Sequence, residues 1–472
     1  MQKAGSMKII FLGATKNVTG SKFIVQTPAS RIMIDAGLFQ EREFLARNWD
    51  AFPVNPAGIQ AILLTHAHMD HCGYLPRLSA QGFKGKVICS GPTEDIAKIS
   101  LIDSAHLQEA DALYKKKRHQ KEGRQGPYPE VPLYTLKDVE DVFPLFHPVN
   151  YGAEVAVTPE IKAVFYDAGH ILGAGMIELR VKEPGCSEKR VVFSGDIGRW
   201  TRPILGDPHL FKRADDVIME ATYGDREHEE GEDTLGKLAE IIISTKKAGG
   251  NVVIPTFAIG RAQELLYDLN ELVQQDRIPA LPIYLDSPMA ANITRVFEKF
   301  QDYYDQDARE RLRKQRALFA IPTLKFTSSV QESKDINHVK GSAVILSSSG
   351  MCTGGRVKHH LSQNITRPES TILFVGYQAR GTLGRIILER PREVRIFGHI
   401  HPVRARIEKL NGLSAHAGQR DLLRWATHFQ PSPERIFIVH SEDEAARHFA
   451  DALRQRVDSD VVIPDYLDEA KL

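Results

Sequence analysis

Short apolar runs that end in ligand-type residues recur along this chain. Lys8-Ile-Ile-Phe-Leu12, Phe23-Ile-Val25 and Arg31-Ile-Met-Ile34 are separated by Gly, Thr, Asn and Ser, which predicts three consecutive strands in a β-meander. Ala61-Ile-Leu-Leu64 reads as a fourth, buried strand. Residues 74–112 then carry apolar positions at near-helical spacing, interrupted by a strand at Lys86-Val-Ile-Cys89. Further strands are expected at 161–166, 190–193 and 216–219. From about residue 233 the texture changes. Near-continuous apolar runs at 251–254, 282–285, 343–346 and 371–375 alternate with helical stretches such as 262–272, the signature of a parallel, helix-covered sheet. The last segment returns to the opening style, with strands at 393–397, 403–409 and 435–439.

Composition bounds this picture without changing it. A chain of 472 residues, 42% of them hydrophobic, is long enough for two or three domains. Its 61 basic and 60 acidic residues leave a formal charge of +1, so any nucleic-acid contact must be local. Cys72, Cys89, Cys186 and Cys352 have no paired spacing, which argues against a disulfide framework or a Cys-rich zinc site and fits a reducing cytoplasm. No apolar run approaches the ~18 residues of a membrane span, and no signal pattern opens the chain.

The candidate chemistry sits just beyond the strands, where open α/β sheets place their sites. Thr65-His-Ala-His-Met-Asp-His-Cys-Gly73 packs His66, His68, Asp70 and His71 into six positions after the 61–64 run. Imidazole and carboxylate suit zinc when no cysteine is offered, and a catalytic zinc takes three protein ligands plus a position for water. Two histidines two apart can meet one metal, and the following Asp-His a second. His170, in Asp167-Ala-Gly-His170, completes the first set; Asp196, in Ser194-Gly-Asp196, can bridge both through its two oxygens. His440 follows strand 435–439 as the other ligands follow theirs and is the expected seventh ligand, on the second metal. Glu220 is delivered by its strand in the same manner. Asp35 is read either as a hydrogen-bond acceptor near the metals or as an ordinary strand-ending turn.

Other motifs speak less clearly. Ser347-Ser-Ser-Gly-Met-Cys-Thr-Gly-Gly-Arg356 and Gly376-Tyr-Gln-Ala-Arg-Gly-Thr-Leu-Gly-Arg385 could close backbone N–H groups on an anion, with Arg356, Arg380 and Arg385 adding charge, or be plain turns. Neither ends in the Gly-Lys-Ser/Thr of a Walker loop. The basic run from Tyr114 to Gly126 reads as a solvated loop, with phosphate-backbone contact as the alternative. His399 and His401 are expected on a surface turn.

With His-x-His-x-Asp-His, His170, Asp196, Glu220, His416 in Ser-Ala-His, and His440 in that order, the chain resembles the β-CASP branch of the metallo-β-lactamase-fold hydrolases, RNA-processing nucleases among them. The resemblance implies an α/β fold: a metallo-β-lactamase αββα sandwich from residues 7–205 and 396–472, with a parallel-sheet β-CASP domain, 206–395, inserted. It implies two zinc ions, with manganese as an alternative, and Asp70, Glu220 and His416 as catalytic residues, His416 donating a proton while Glu220 holds it. Ser348, Ser349, Gly350 and Arg380 are the expected substrate contacts. In such a family a histidine at the position of His440 goes with RNA, so the expected partner is single-stranded RNA, with no membrane involved.

The implied reaction is hydrolysis of RNA phosphodiesters by activated water, endonucleolytic, leaving 5′-phosphate and 3′-hydroxyl ends. A 5′-exoribonuclease or a DNA nuclease of the same branch is the alternative. A thioesterase or lactamase on the same fold would need the metals but not the inserted domain, Glu220 or His416. A non-catalytic scaffold would be expected to have lost ligands. Two positions depart from the family pattern: Gly418 stands where relatives carry Asp after Ser-Ala-His-Ala, and Ser441 replaces the Gly of His-Gly-Glu.

Overall fold

Alternate positions along the strands point to one face, and that face is apolar on two sheets at once. Ile9, Phe11, Val25, Ile32, Ile34 and Leu63 from one sheet and Ile161, Ala163, Phe165, Ile177, Leu179, Val191 and Phe193 from the other are buried together in one core. A period of two delivers each set to a single side, so two sheets pressed face to face are the economical way to remove both from water. In this computed structural model, residues 7–123, 126–228, 233–315, 317–379, 381–412 and 414–472 are described.

Among these residues the chain divides into two compact units, one built from residues up to Glu227 together with His416–Leu472, the other from His228–Ala415. The first holds two seven-stranded sheets. One starts as the expected meander, Lys8–Phe11, Phe23–Gln26 and Arg31–Ile34 pairing antiparallel, and continues in parallel through Ala61–Leu63, Lys86–Ser90 and Phe146–Val149. The other runs antiparallel from Glu154–Ala156 through Lys189–Phe193, then in parallel through Asp216–Glu220, Arg435–Val439 and Asp460–Val462. Helix Gly91–Glu122 packs on the first sheet and helix Asp443–Arg454 on the second, giving an αββα sandwich.

The second unit holds a six-stranded, all-parallel sheet. Its four inner strands, Val252–Pro255, Ile283–Asp286, Val344–Ser347 and Thr371–Phe374, are buried along their whole length, as strands covered on both faces must be.

Three expectations are corrected. The joints fall at 227/228 and 415/416 rather than at 205/206 and 395/396, because Asp216–Glu220 is inserted between Lys189–Phe193 and Arg435–Val439 in the first unit while Arg406–Lys409 pairs with Thr371–Phe374 in the second. The basic run is helical as far as Glu122, not a loop: Ser90 caps the helix by accepting from Thr93 N–H, Pro92 occupies its first turn, and Gly123 closes it at φ 64°. Its lysines are exposed, whereas His119 turns inward to Glu130 at 2.5 Å. His399 and His401 lie in strand His399–Pro402, hairpinned with Glu393–Ile396, rather than on a turn.

Phe11 and Phe437 meet across the two sheets of the first unit, ring centres 5.2 Å apart. Phe437→Ala should therefore cost about 3–5 kcal/mol, read as a lowered midpoint for loss of tertiary structure in denaturant.

Candidate metal centre

Ala61–Leu63 ends one residue before the turn that begins the centre. Thr65 to His68 leave the sheet as an extended loop, and Met69–Cys72 closes into a single helical turn that carries Asp70 and His71. His66 and His68 thus sit on a loop, as the spacing predicts, but Asp70 and His71 ride on a helix turn. The turn is held low against the sheet: Ser21 donates its backbone N–H to Asp70 O at 2.9 Å, and a Cβ on Gly37 would lie 1.6 Å from that same oxygen. No side chain fits at position 37, so the glycine is what allows the turn to seat.

The other strand exits deliver their residues to the same place. His170 follows Ile161–Asp167, Asp196 follows Lys189–Phe193, Glu220 ends Asp216–Glu220, and His440 follows Arg435–Val439. A Cβ on Gly198 would fall 1.9 Å from Gly169 O, so the exits bearing His170 and Asp196 also depend on a bare backbone to approach.

The nitrogens converge in two groups. His68 Nδ1 stands 3.0 Å from His66 Nε2 and 3.2 Å from His170 Nε2; His71 Nε2 and His440 Nε2 are 3.1 Å apart. Asp196 lies between the groups. Its Oδ2 faces His66 Nε2 at 3.4 Å and His170 Nε2 at 3.3 Å, while Oδ1 faces His71 Nε2 at 3.2 Å and His440 Nε2 at 3.5 Å. Asp70 Oδ2 adds a second carboxylate at 3.5 Å from His440 Nε2. His66, His68, His170 and Asp196 offer ligand atoms all within 4.8 Å of one another, as do Asp70, His71 and His440.

This arrangement fits cations and leaves protons short. Asp196 Oδ1 is buried and no hydrogen bond reaches it in proper geometry, a costly state for a carboxylate oxygen. Burial lowers the pKa of His66 and His170, and that of His68 to about 3, so the first group presents neutral rings with lone pairs. Burial opposes charge on Asp196 too, yet the surrounding histidines, His440 and His71 first, hold its carboxyl well below the usual range. Around His71 and His440 the balance differs: burial pushes down, but Asp196 and its companion carboxylates raise both. Carboxylates that attract a proton there would attract a metal ion on the same grounds.

Hydrogen bonds behind the rings fix which nitrogen faces inward. Asp35 accepts from His71 Nδ1 at 2.7 Å through Oδ2, and from Thr65 N–H at 2.8 Å through Oδ1. Of the two readings of Asp35, the structure selects the acceptor that orients a ligand. Thr222 Oγ1 does the same for His440 Nδ1 at 3.0 Å, a partner with no sequence signal beyond its place two residues after Glu220.

Glu220 and His416 form a separate pair. Glu220 accepts from Ile197 N–H at 2.6 Å and Thr222 N–H at 3.1 Å, and His416 Nδ1 lies 3.0 Å from Oε1 and 3.2 Å from Oε2. Both oxygens are engaged, so Glu220 supports a proton carrier better than it ligates. Burial disfavours a charged His416, but Glu220 and Asp196 outweigh it and raise its pKa to about 9. His416 Nε2 is 3.9 Å from Asp196 Oδ2. Gly418 leaves this pairing intact; it caps helix Gln419–Ala426 without a side-chain hydrogen bond.

In the second unit, Ser348, Ser349 and Gly350 follow strand Val344–Ser347 as expected. Arg380 lies outside the described residues. Arg356 is not presented to an anion: its Nη1 is 2.8 Å from Asp286, a buried carboxylate that also meets His360 Nε2 at 2.6 Å and Thr327 and Ser333 hydroxyls at 2.5 Å. Arg385 pairs with Glu389 at 2.7 Å. Asp286 was missed as an organising residue, although it ends an apolar run like the metal-centre acids.

Fold and site together define a metal-dependent hydrolase of the metallo-β-lactamase class. Residues 18–234 match the metallo-beta-lactamase superfamily, 262–387 the Beta-Casp domain and 400–464 the Zn-dependent metallo-hydrolase RNA specificity domain. The chain belongs to the β-CASP family. It is 35% identical over 438 residues to Ribonuclease TTHA0252 of Thermus thermophilus, covering 93% of this chain and 94% of that protein. It is 31% identical over 477 residues to the transcription termination factor FttA of Methanocaldococcus jannaschii, covering 99% of this chain and 72% of that one. A crystal structure of an Enterococcus faecalis V583 protein shares the fold, with TM-score 0.57 and 12% identity, covering 99% of this chain and 100% of the other.

Asp35→Asn keeps the shape but gives up the charge behind His71. Metal affinity should fall about 10–100-fold, measured by competition with a chromophoric chelator, with the thermal unfolding of the metal-free protein little changed.

Proposed function

We propose that this chain is a zinc-dependent ribonuclease that cuts single-stranded RNA internally by hydrolysis, leaving 5′-phosphate and 3′-hydroxyl ends. The observation that carries this reading is the placement of Asp196, one oxygen on each histidine group, with the Glu220–His416 pair beside it. Its relative in T. thermophilus is named a ribonuclease. In this reading His66, His68 and His170 hold one zinc, Asp70, His71 and His440 the other, and Asp196 both; manganese is the alternative occupant. Bound there, two ions would bring the pKa of water towards about 7 and offset the charge on the phosphate oxygens.

The chain's own residues do the rest. Asp70, which reaches His440 with Oδ2, accepts from the attacking water and aims it. His416, held protonated by Glu220 through Nδ1, offers Nε2–H to the departing 3′-oxygen. Glu220 is itself held in place by two backbone N–H groups and the imidazole, which donate to it. Water as nucleophile leaves the 2′-hydroxyl idle, so a 2′-methoxy group at the scissile nucleotide should be tolerated. Ser348, Ser349, Gly350 and Arg380 are the proposed substrate contacts.

His68→Ala should lose metal and activity together. His416→Ala should keep its metal but slow RNA cleavage by about 10²–10⁴. Metal content by elemental analysis and single-turnover cleavage of end-labelled RNA separate the two. Unchanged cleavage by His416→Ala removes it from the chemistry. Cutting of a circular RNA supports internal scission, whereas an intact circle beside a degraded 5′-phosphorylated linear strand favours the exonucleolytic alternative.

A further inference from the structure

The parallel sheet of the second unit sends its strand ends to one edge, where such sheets bind ligands. Val252–Pro255 lies between Val344–Ser347 and Thr371–Phe374. These three neighbours continue as Thr256-Phe257, Ser348-Ser349-Gly350 and Gly376-Tyr377-Gln378. At the exits of two neighbouring strands, Val252–Pro255 and Thr371–Phe374, aromatic rings stand in water: Phe257 is 43% exposed and Tyr377 46%.

Neither ring is on a loose tail: the Phe257 ring rests on Gly350, and the loop carrying Tyr377 is tied to the same glycine. The Phe257 ring lies so close over Gly350 that a Cβ there would be 2.8 Å from it. Gln378, next to Tyr377, donates Nε2–H to Gly350 O at 3.0 Å. Thr256 N–H is bonded to Ser347 O at 3.0 Å, and Gly384 N–H to Met351 O at 3.1 Å, tying the three loops into one support. A ring packed on such a support, and a second carried by a loop tied to it, lose little backbone freedom when something lies on them.

The charge around them argues for what that something is. Among the described residues, the guanidinium groups on these loops and the helices that follow are already engaged, Arg356 by Asp286, Arg385 by Glu389 and Arg261 by Glu264. The open surface is therefore aromatic more than cationic, suited to flat faces more than to phosphates. Resting on the reading of the chain as a ribonuclease, we propose that Phe257 and Tyr377 form a stacking platform for unpaired nucleobases of the RNA substrate. Every base has a π-face, so the platform tolerates any sequence, but a double helix hides those faces, so it selects single strands.

The test uses the full chain without added divalent ions, so that RNA is bound but not cut, and single-stranded oligoribonucleotides carrying 2-aminopurine, whose fluorescence is quenched on stacking. The protein should quench the probe, and Phe257→Leu/Tyr377→Leu should abolish the quench and weaken binding by about tenfold for each ring lost. An abasic sugar-phosphate strand and a duplex should bind both proteins alike. Tyr377→Phe should restore what Tyr377→Leu loses, which separates loss of the π-face from misfolding, and metal-loaded double variant should hydrolyse a small base-free phosphodiester at the unsubstituted rate. Undiminished quench and affinity in the double variant, or equal weakening toward the abasic strand, overturns the platform alone. Failure of the unsubstituted protein to bind any RNA overturns the ribonuclease reading and the platform with it.

Discussion

The Asp196 carboxylate is the constraint on which the first unit's centre depends. It is buried, charged, and faced from two sides by imidazole nitrogens at 3.2 to 3.5 Å. An uncompensated charge in such a place is expensive, and on the side of His66, His68 and His170 the neutral rings do little to offset it. Positive charge on both sides resolves the conflict, and the strand exits are arranged to admit it. Gly195 at φ 54°, Gly37 against Asp70 O and Gly198 against Gly169 O are each bare so that these exits can crowd around one acid. The face-to-face core of the two sheets fixes the distance between exits arriving from opposite sides: His66 and His71 come from one sheet, His170, Asp196, Glu220 and His440 from the other.

Much of this was legible in the sequence, for a physical reason. Strand exits are local features: an apolar run followed by a His or Asp is visible in a handful of residues, and His66, His68, His170, Asp196 and His440 all announce themselves this way. What the sequence hides is which exits meet. Asp35 ends its strand like any turn residue, and only the approach of Thr65 and His71 from a different strand turns it into the acid that orients a ligand. Thr222 is similarly ordinary until His440 arrives from far along the chain.

The mistaken joints and the mistaken loop have the same root. Sheet membership is non-local, so nothing in Asp216–Glu220 or Arg406–Lys409 tells which sheet each joins. Within 91–122 the buried positions of the later turns narrow to Ala105, Ala112 and His119, one every two turns, too thin a stripe for a periodic apolar signal; the caps at Ser90 and Gly123 carry the information instead. Arg356 shows the opposite error. A cation beside a glycine-rich turn looks like an anion site, yet its charge is spent on Asp286, which also gathers His360, Thr327 and Ser333. That cluster braces the Ser347–Arg356 turn from below, because Ser347 Oγ donates to Asp286 O while Arg356 holds its carboxylate.

The two histidine groups are not equivalent, and the difference follows from where the acids lie. His66 and His170 face Asp196 Oδ2, and at these two and at His68 burial dominates, leaving neutral rings. His71 and His440 face Asp196 Oδ1 and Asp70, with Asp35 behind His71, and their pKa values rise. One side therefore presents the lone pairs of neutral imidazoles, the donor set zinc favours; the other presents accumulated negative charge. Glu220 stands outside both groups, its oxygens accepting from Ile197, Thr222 and His416. Placing this third acid one hydrogen bond behind His416, instead of within the two histidine groups, is what raises the pKa of an imidazole that stands beside Asp196.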